Sequence, residues 1–376
     1  MLRTLSRTRS QTQTTSRRNS ARHHPSILIT AVGSPTHRQR NPTLRFPPEI
    51  LDRIVDLAIL SAFAQAVDPF ASISSFSLAS THFRRISLRR YLLRVNLRSR
   101  KHFIWLFEMA RKHGIRNHGQ CGLVDIRSLS TSAGFITSEA PKLSYLVNLL
   151  DLDISFATEG PTTQHTCISI IFKKLLTLSP NCSSSLTKLS LTFLSRLDIS
   201  LLRLISSSFP LLSHLHLSAA DNVDDYDVKD ICWCCFEELL SCSYYSPIPH
   251  MFSDARDLAT AYGQALQPLA HLKQIHLGIY LSNEELWWNH ISCCKADSII
   301  EPGECKKCRE VYSPTTLVRE QTASTLIAAK LPSLKVISWN SYFKIRKETK
   351  TVRDIYSRRL HFDIREDGAV IRRRSD

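Results

Sequence analysis

The stretch Leu186-Thr187-Lys188-Leu189-Ser190-Leu191, with its near copy Leu212-Ser213-His214-Leu215-His216-Leu217, decides how this chain is read. In both, apolar side chains two positions apart share one face of an extended strand, and the polar residues between them take the other. The same L-x-x-L-x-L frame recurs as Leu149-x-x-Leu152-x-Ile154, Leu272-x-x-Ile275-x-Leu277 and Leu334-x-x-Ile337-x-Trp339. Weaker copies start at Leu92 (Leu92, Val95, Leu97) and Leu123 (Leu123, Ile126). Between the frames the period changes. Ile168, Ile171, Phe172, Leu175 and Leu176 follow helical spacing with Lys173 and Lys174 turned away, and Leu258, Ala261, Tyr262, Ala265 and Leu266 do likewise. Pro141, Pro180, Pro210, Pro268 and Pro332 stand shortly before the five clearest frames, where a proline ends a helix and starts the chain extended.

Strands alternating with helices predict an α/β fold. The repeated helix, proline, strand unit over residues 91–343 resembles a leucine-rich repeat, and that resemblance implies a solenoid of parallel strands with the helices on its outer side. Successive frames start 31, 26, 37, 26, 60 and 62 residues apart, whereas regular repeats run about 20 to 29 residues. The solenoid is therefore expected to be irregular, with an insertion at residues 283–315.

Ahead of the frames stands Phe46-Pro47-Pro48-Glu49-Ile50-Leu51-Asp52-Arg53-Ile54-Val55, followed by Phe76-Ser77-Leu78-Ala79-Ser80-Thr81-His82-Phe83-Arg84-Arg85-Ile86. Residues 45–90 resemble an F-box, whose pattern opens L-P-x-E-[IL]-[IL]-x-x-[IV] and closes some thirty residues later on a segment such as [LV]-[CS]-[KR]-x-[WF]-[RK]-x-[IL]. Pro47, Glu49, Ile50, Leu51 and Ile54 match the opening, and Leu78, Ser80, Phe83, Arg84 and Ile86 the close. Phe46 replaces the usual Leu, Phe83 the frequent Trp, and the middle is lengthened from Ser61 to Ser72, with Asp68-Pro69 interrupting helix. The resemblance implies binding to a Skp-type adaptor and through it to a cullin scaffold, with Phe46, Pro47, Pro48, Ile50, Leu51, Ile54, Val55, Leu78 and Phe83 at the contact. Elementary chemistry agrees on the helix: Pro47 and Pro48 suit its start, Glu49 and Asp52 its first turn, and Ile50, Leu51, Ile54, Val55, Leu57 and Ala58 form an apolar stripe. About 45 residues cannot close a core alone, so part of the stripe needs a partner or the neighbouring solenoid. The other reading of these residues is a helical cap on the solenoid.

Charge and composition narrow the function classes. The net charge of +16 is uneven: residues 1–45 carry nine Arg and no acid, residues 84–116 sum to +10, residues 344–376 to +5, and residues 117–343 to −5. Residues 1–44 are expected as a disordered basic tail, with an organellar transit peptide as the alternative, and 344–376 as a basic C-terminal tail. A basic-tailed nucleic-acid binder is the third-ranked function, because the folded body is mildly acidic. Ten glycines, with no G-x-G-x-x-G, G-x-x-x-x-G-K-[ST], G-x-S-x-G or H-E-x-x-H, exclude the commonest enzyme signatures. Eleven cysteines, several adjacent, no secretory signal and no long apolar run point to a reduced protein of the cytoplasm and/or nucleus, without a membrane partner.

Two clusters bear on chemistry. His290-x2-Cys293 and Cys305-x2-Cys308 have the spacing of paired zinc knuckles, with Cys294 spare, and a closed four-ligand site would hold a structural ion; the alternative is loop cysteines. Cys232, Cys234, Cys235 and Cys242 read as core packing, and Asp221, Asp224, Asp225 and Asp227 as a solvated loop. His214, His216, His271 and His276 lie beside the strands without an identifiable catalytic partner. The expected function is a non-enzymatic substrate-recognition subunit of a cullin-RING ubiquitin ligase, its F-box on the adaptor and its repeats on an unknown target protein. A leucine-rich scaffold without a ubiquitin link is the alternative.

Overall fold

The structure, a computed structural model, describes residues 46–65, 67–97, 99–112, 126–139, 146, 148–159, 161–178, 184–219, 246–248, 251–283, 285–293, 302–343, 359–365 and 367–372. The chain divides into residues 1–47, of which Phe46 and Pro47 are described and exposed, and a second unit from Pro48 onward. That second unit opens with α1 (Pro48–Ala64), α2 (Pro69–Ala79) and α3 (Thr81–Leu93). Asp68-Pro69, expected as an interruption, is the boundary between two helices. Asp68 caps α2 by accepting the Phe70 amide at 3.0 Å, Pro69 supplies the first helical position, and Ser80 caps α3 through the Phe83 amide at 3.1 Å.

Strands and helices then alternate: β1 (Arg94–Leu97), α4 (Arg100–Lys112), β2 (Ser128–Ser132), α5 (Ala133–Glu139), β3 (Asp151–Ser155), α6 (Pro161–Leu178), β4 (Lys188–Leu194) and α7 (Ile199–Ser208). They continue as β5 (His214–Ala219), α8 (Ala255–Leu266), β6 (Gln274–Tyr280), α9 (Glu285–Cys293), α10 (Lys306–Ala328), β7 (Val336–Asn340), β8 (Arg359–Ile364) and β9 (Val370–Arg372). The strands form one open sheet in sequence order, parallel from β1 to β7 and antiparallel across β8 and β9. The architecture is mixed α/β, as expected.

Register follows from the frames. Val95, Leu129, Leu152, Leu189, Leu215, Ile275 and Ile337 stand opposite one another across the sheet, and Phe362 continues the row. All are buried, whereas the residues between them on β2 to β5 are half-exposed. A one-residue slip would turn the whole row outward, so this hydrophobic pattern fixes the pairing. Strand starts are also pinned by backbone. The carbonyl before each strand accepts two amides from the next unit: Arg127 from Leu150 and Asp151, Leu150 from Thr187 and Lys188, Thr187 from Ser213 and His214, Ser213 from Lys273 and Gln274, and Lys273 from Lys335 and Val336, at 2.8 to 3.1 Å.

Behind the sheet the helices pack in series, α5 on α6, α6 on α7, α7 on α8 and α8 on α10. The helical stripes read from the sequence are their buried faces: Ile168, Ile171, Phe172 and Leu175 on α6, and Leu258, Tyr262, Ala265 and Leu266 on α8. Tyr262 also donates its hydroxyl to the Leu197 carbonyl at 2.8 Å, so its buried polar atom is satisfied.

One expectation needs correction. The segment 344–376, read as a basic tail, supplies β8 and β9. Leu360 and Phe362 alternate with Arg359, His361 and Asp363, and this apolar pair fits the buried rows beside Trp339 and Ile337. The insertion expected at 283–315 contains α9 and the first turns of α10, a helix that continues to Ala328.

Candidate functional site

Helix α1 has two apolar faces. Leu51, Val55, Ile59 and Ala62 recur at helical spacing and are 4%, 1%, 4% and 3% exposed, packed into the core with α2 and α3. Ile50, Ile54, Leu57 and Leu60 form a second stripe and remain 48%, 49%, 52% and 42% exposed. Because adjacent residues on a helix point about 100° apart, the pairs Ile50-Leu51 and Ile54-Val55 split between the faces. Leu51 and Val55, expected at a partner contact, thus serve this protein's own core. Ile50, Ile54 and Pro48 are exposed, Leu78 at the end of α2 is 72% exposed, and Phe83 is half-buried with its ring stacked on Phe76 at 4.5 Å.

The remaining sector of α1 is held electrostatically. Asp52 accepts from Arg89 at 2.6 Å and from Arg90 at 2.8 Å, and Arg90 also reaches Asp56 at 3.4 Å. The Arg90 hydrogen bond, with Arg89 assisting, holds the Asp52 carboxyl below its ordinary range. With one face in the core and the carboxylates clamped to α3, α1 is fixed in rotation, and the exposed stripe is presented rigidly. Such a stripe, on a helix whose other apolar face is already satisfied, can form the apolar part of a protein interface.

A second candidate surface is the polar face of the sheet, whose central row runs Asn96, Ser130, Asp153, Ser190, His216, His276 and Ser338 in register. Ser130 donates to Asp153 at 2.9 Å, the His216 and His276 rings stack at 4.5 Å, and His276 Nδ1 lies 3.0 Å from Ser338 Oγ. Arg359 from β8 approaches His216 Nε2 at 3.3 Å. Burial, with the Arg359 charge, pushes His216 down to about 4. Burial first, then the charges of His216, Arg359 and His361, keeps His276 well below its usual range. At neutral pH the stack is uncharged. His214 is half-buried beside Lys188, and His271 is exposed before β6. This arrangement pairs the histidines with each other, a hydroxyl and a guanidinium; His276 and Ser338 are buried, so the accessible part of the polar face is its half-exposed stretch on β2 to β5.

The structure brings together three of the four expected metal ligands: His290 on α9 and Cys305 and Cys308 at the start of α10 have ligand atoms within 4.8 Å of one another, with His290 Nδ1 3.3 Å from Cys308 Sγ. Cys293 ends α9 one turn after His290, but its side chain lies outside the described part, as do Cys294, Cys232, Cys234, Cys235, Cys242, the acidic residues Asp221 to Asp227, and the tail 1–44. Sequence reasoning did not anticipate Glu320, buried in α10 with Oε1 unpaired. Its one signal was an acid among small residues on a helix flanking a Trp-bearing strand. Among the described residues no helix is long and apolar enough to cross a membrane. No protein-family profile and no curated protein matches the sequence.

Proposed function

We propose that this chain is a non-enzymatic recognition subunit of an SCF-type, cullin-RING ubiquitin ligase, with α1 docking on a Skp-type adaptor and the polar face of the sheet capturing a target protein. The observation that carries the reading is the second, uncovered apolar stripe of α1, on the segment that resembles an F-box. Completing the burial of four half-exposed Ile and Leu side chains contributes on the order of 1 kcal/mol each. That is a useful share of the roughly 8 kcal/mol of a micromolar complex. The irregular leucine-rich-repeat solenoid is part of the same proposal. It is supported by the frame leucines falling at one register position on consecutive parallel strands.

The test is co-purification of the full chain with a Skp-type adaptor, comparing wild type, Ile50→Asp plus Ile54→Asp, and Val55→Ala. The Asp pair places carboxylates in an apolar contact, each costing several kcal/mol when desolvated, and adaptor recovery should fall more than about 100-fold. Neither substitution touches the core, so the thermal midpoint should hold. Val55→Ala should instead lower the thermal midpoint and leave binding to the folded fraction intact. Absent wild-type binding, or equal recovery with the Asp pair, would overturn the proposal in favour of a scaffold without a ubiquitin link.

A further inference from the structure

The insertion between β6 and β7 carries a feature that adaptor binding does not use. Helix α9 ends near the start of α10, and between them the described chain resumes at Pro302. There the backbone comes very close to the end of β7: a Cβ built on Gly303 would lie 1.8 Å from the Tyr342 carbonyl oxygen, so only glycine fits. Arg309 grips the same turn, donating to the Gly303 carbonyl through Nε at 3.2 Å and Nη2 at 2.7 Å. Across the helices, Asn289 donates to the Tyr312 hydroxyl at 2.5 Å. Cys305, at the N-cap of α10, and Cys308, one turn later, are therefore held from two sides. His290 faces them from α9, and both His290 and Cys308 are 3% exposed.

From this geometry we infer that His290, Cys305 and Cys308 bind a single structural zinc ion that staples α9 to α10. Tetrahedral zinc with thiolates at about 2.3 Å and imidazole at about 2.0 Å places its ligand atoms about 3.5 to 3.8 Å apart. The observed 3.3 Å from His290 Nδ1 to Cys308 Sγ, and the 4.8 Å limit over all three atoms, fall within a small side-chain adjustment of that figure. Two thiolates and an imidazole are donors that zinc favours and that the oxygen-seeking calcium and magnesium do not, and a closed structural site takes a fourth ligand. Cys293, the last residue of α9, is the residue that the H-x2-C spacing offers for the fourth position. The site adjoins a separate small apolar cluster, Tyr280, Leu286, Cys308, Tyr342 and Phe343, in which Tyr280 and Tyr342 stack at 4.0 Å. Such a dry flank strengthens the metal–thiolate attraction and restricts solvent access to the ion. The zinc would thus complete a satellite core too small to hold the insertion by packing alone.

The experiment uses the full chain purified under reducing conditions with zinc as the probe. Metal analysis should return about one equivalent, and cobalt substitution should give thiolate-to-metal charge-transfer absorption. Cys305→Ser and Cys308→Ser should each weaken zinc binding at least about 100-fold, while Cys167→Ser, at a buried cysteine beside Thr137, should leave it unchanged. His290→Cys, which keeps a soft ligand, should retain the ion that His290→Ala loses, so a folding defect cannot mimic the pattern. Chelation should open residues 285–315 to protease. A wild-type chain without bound metal, a Cys305–Cys308 disulfide that forms in preference to zinc binding, or unchanged metal content in the Cys305→Ser and Cys308→Ser variants would overturn the assignment.

Discussion

Replacing Glu320 by glutamine is expected to stabilise the protein above neutral pH and to have little effect in mild acid. Glu320 lies on α10 at 2% exposure, with Ser341 as hydrogen-bond partner and Oε1 unpaired. Burial pushes its carboxyl from 4.5 to about 7, with Ser341 and the Arg372 charge opposing. The folded state therefore holds the Glu320 proton more tightly than the unfolded chain does. The favourable contribution is full below about pH 4.5 and is lost as pH rises through 7, where the folded protein must keep a buried carboxylate. At 1.36 kcal/mol per pH unit the whole window corresponds to about 3 kcal/mol. Glutamine has nearly the same shape and no charge, so it removes the pH-dependent part. Urea unfolding at pH 5 and pH 8.5 should show the variant gaining roughly 2 to 3 kcal/mol on wild type between the two conditions, with equal m-values. Comparing the two proteins cancels the titration of every other group, including the histidine stack, whose slope has the opposite sign. Parallel stability curves for wild type and variant would refute the reasoning, since a water-solvated Glu320 would show no such divergence.

The histidine stack itself gives the mirror-image case. His216 is pushed from 6.5 to about 4, so its contribution is full above pH 6.5 and is lost as pH falls through 4. His216→Gln should flatten that acid limb by about 2 kcal/mol after allowance for partial exposure, as read by urea unfolding at pH 4 and pH 7. At Gly278 an added Cβ would lie 2.7 Å from Ser218 Cα and 2.8 Å from the Leu217 carbonyl oxygen. Both atoms belong to the backbone of β5, so Gly278→Ala should cost about 1 to 3 kcal/mol by thermal or chemical unfolding, because neither can rotate away.

How far the sequence could be read depended on which physical signal each segment carried. The L-x-x-L-x-L frames placed β3 to β7, and the weak copy at Leu92 marks β1, because a period-2 apolar pair needs one buried face wherever it occurs; the copy set at Leu123 falls three residues early, since Leu129 rather than Ile126 stands in the register row of β2. The strand at Leu360 and Phe362 has the same pair but sits among arginines, and overall charge there hid a local pattern. In α1 the apolar residues were visible, but composition cannot show that Ile50 and Leu51 diverge to opposite tasks; that follows only from the helix's rotation against α2 and α3. The pairing of His290 with Cys305 and Cys308 as a candidate site was legible because two-residue spacing is a local property, whereas the approach of α9 to α10 that brings them together was not. Glu320 was not, since an acid in a helix ordinarily faces water and only the tertiary packing that brings Ser341 and Arg372 beside α10 buries it.

The doubly accepting carbonyls ahead of the strands have a consequence for how much sequence each unit can carry. Each unit locks to its neighbour at one backbone atom, while the distance between equivalent strand positions varies from 23 residues (Ser128 to Asp151) to 62 (Gln274 to Val336). Doubling the length of a return path costs only about 0.6 kcal/mol of closure entropy, and the locking atom belongs to the main chain, so it survives any side-chain change. Such a scaffold accommodates return paths of very different length on its helical side without disturbing the order of its strands, and the paths from β5 to β6 and from β6 to β7 are its longest between parallel neighbours.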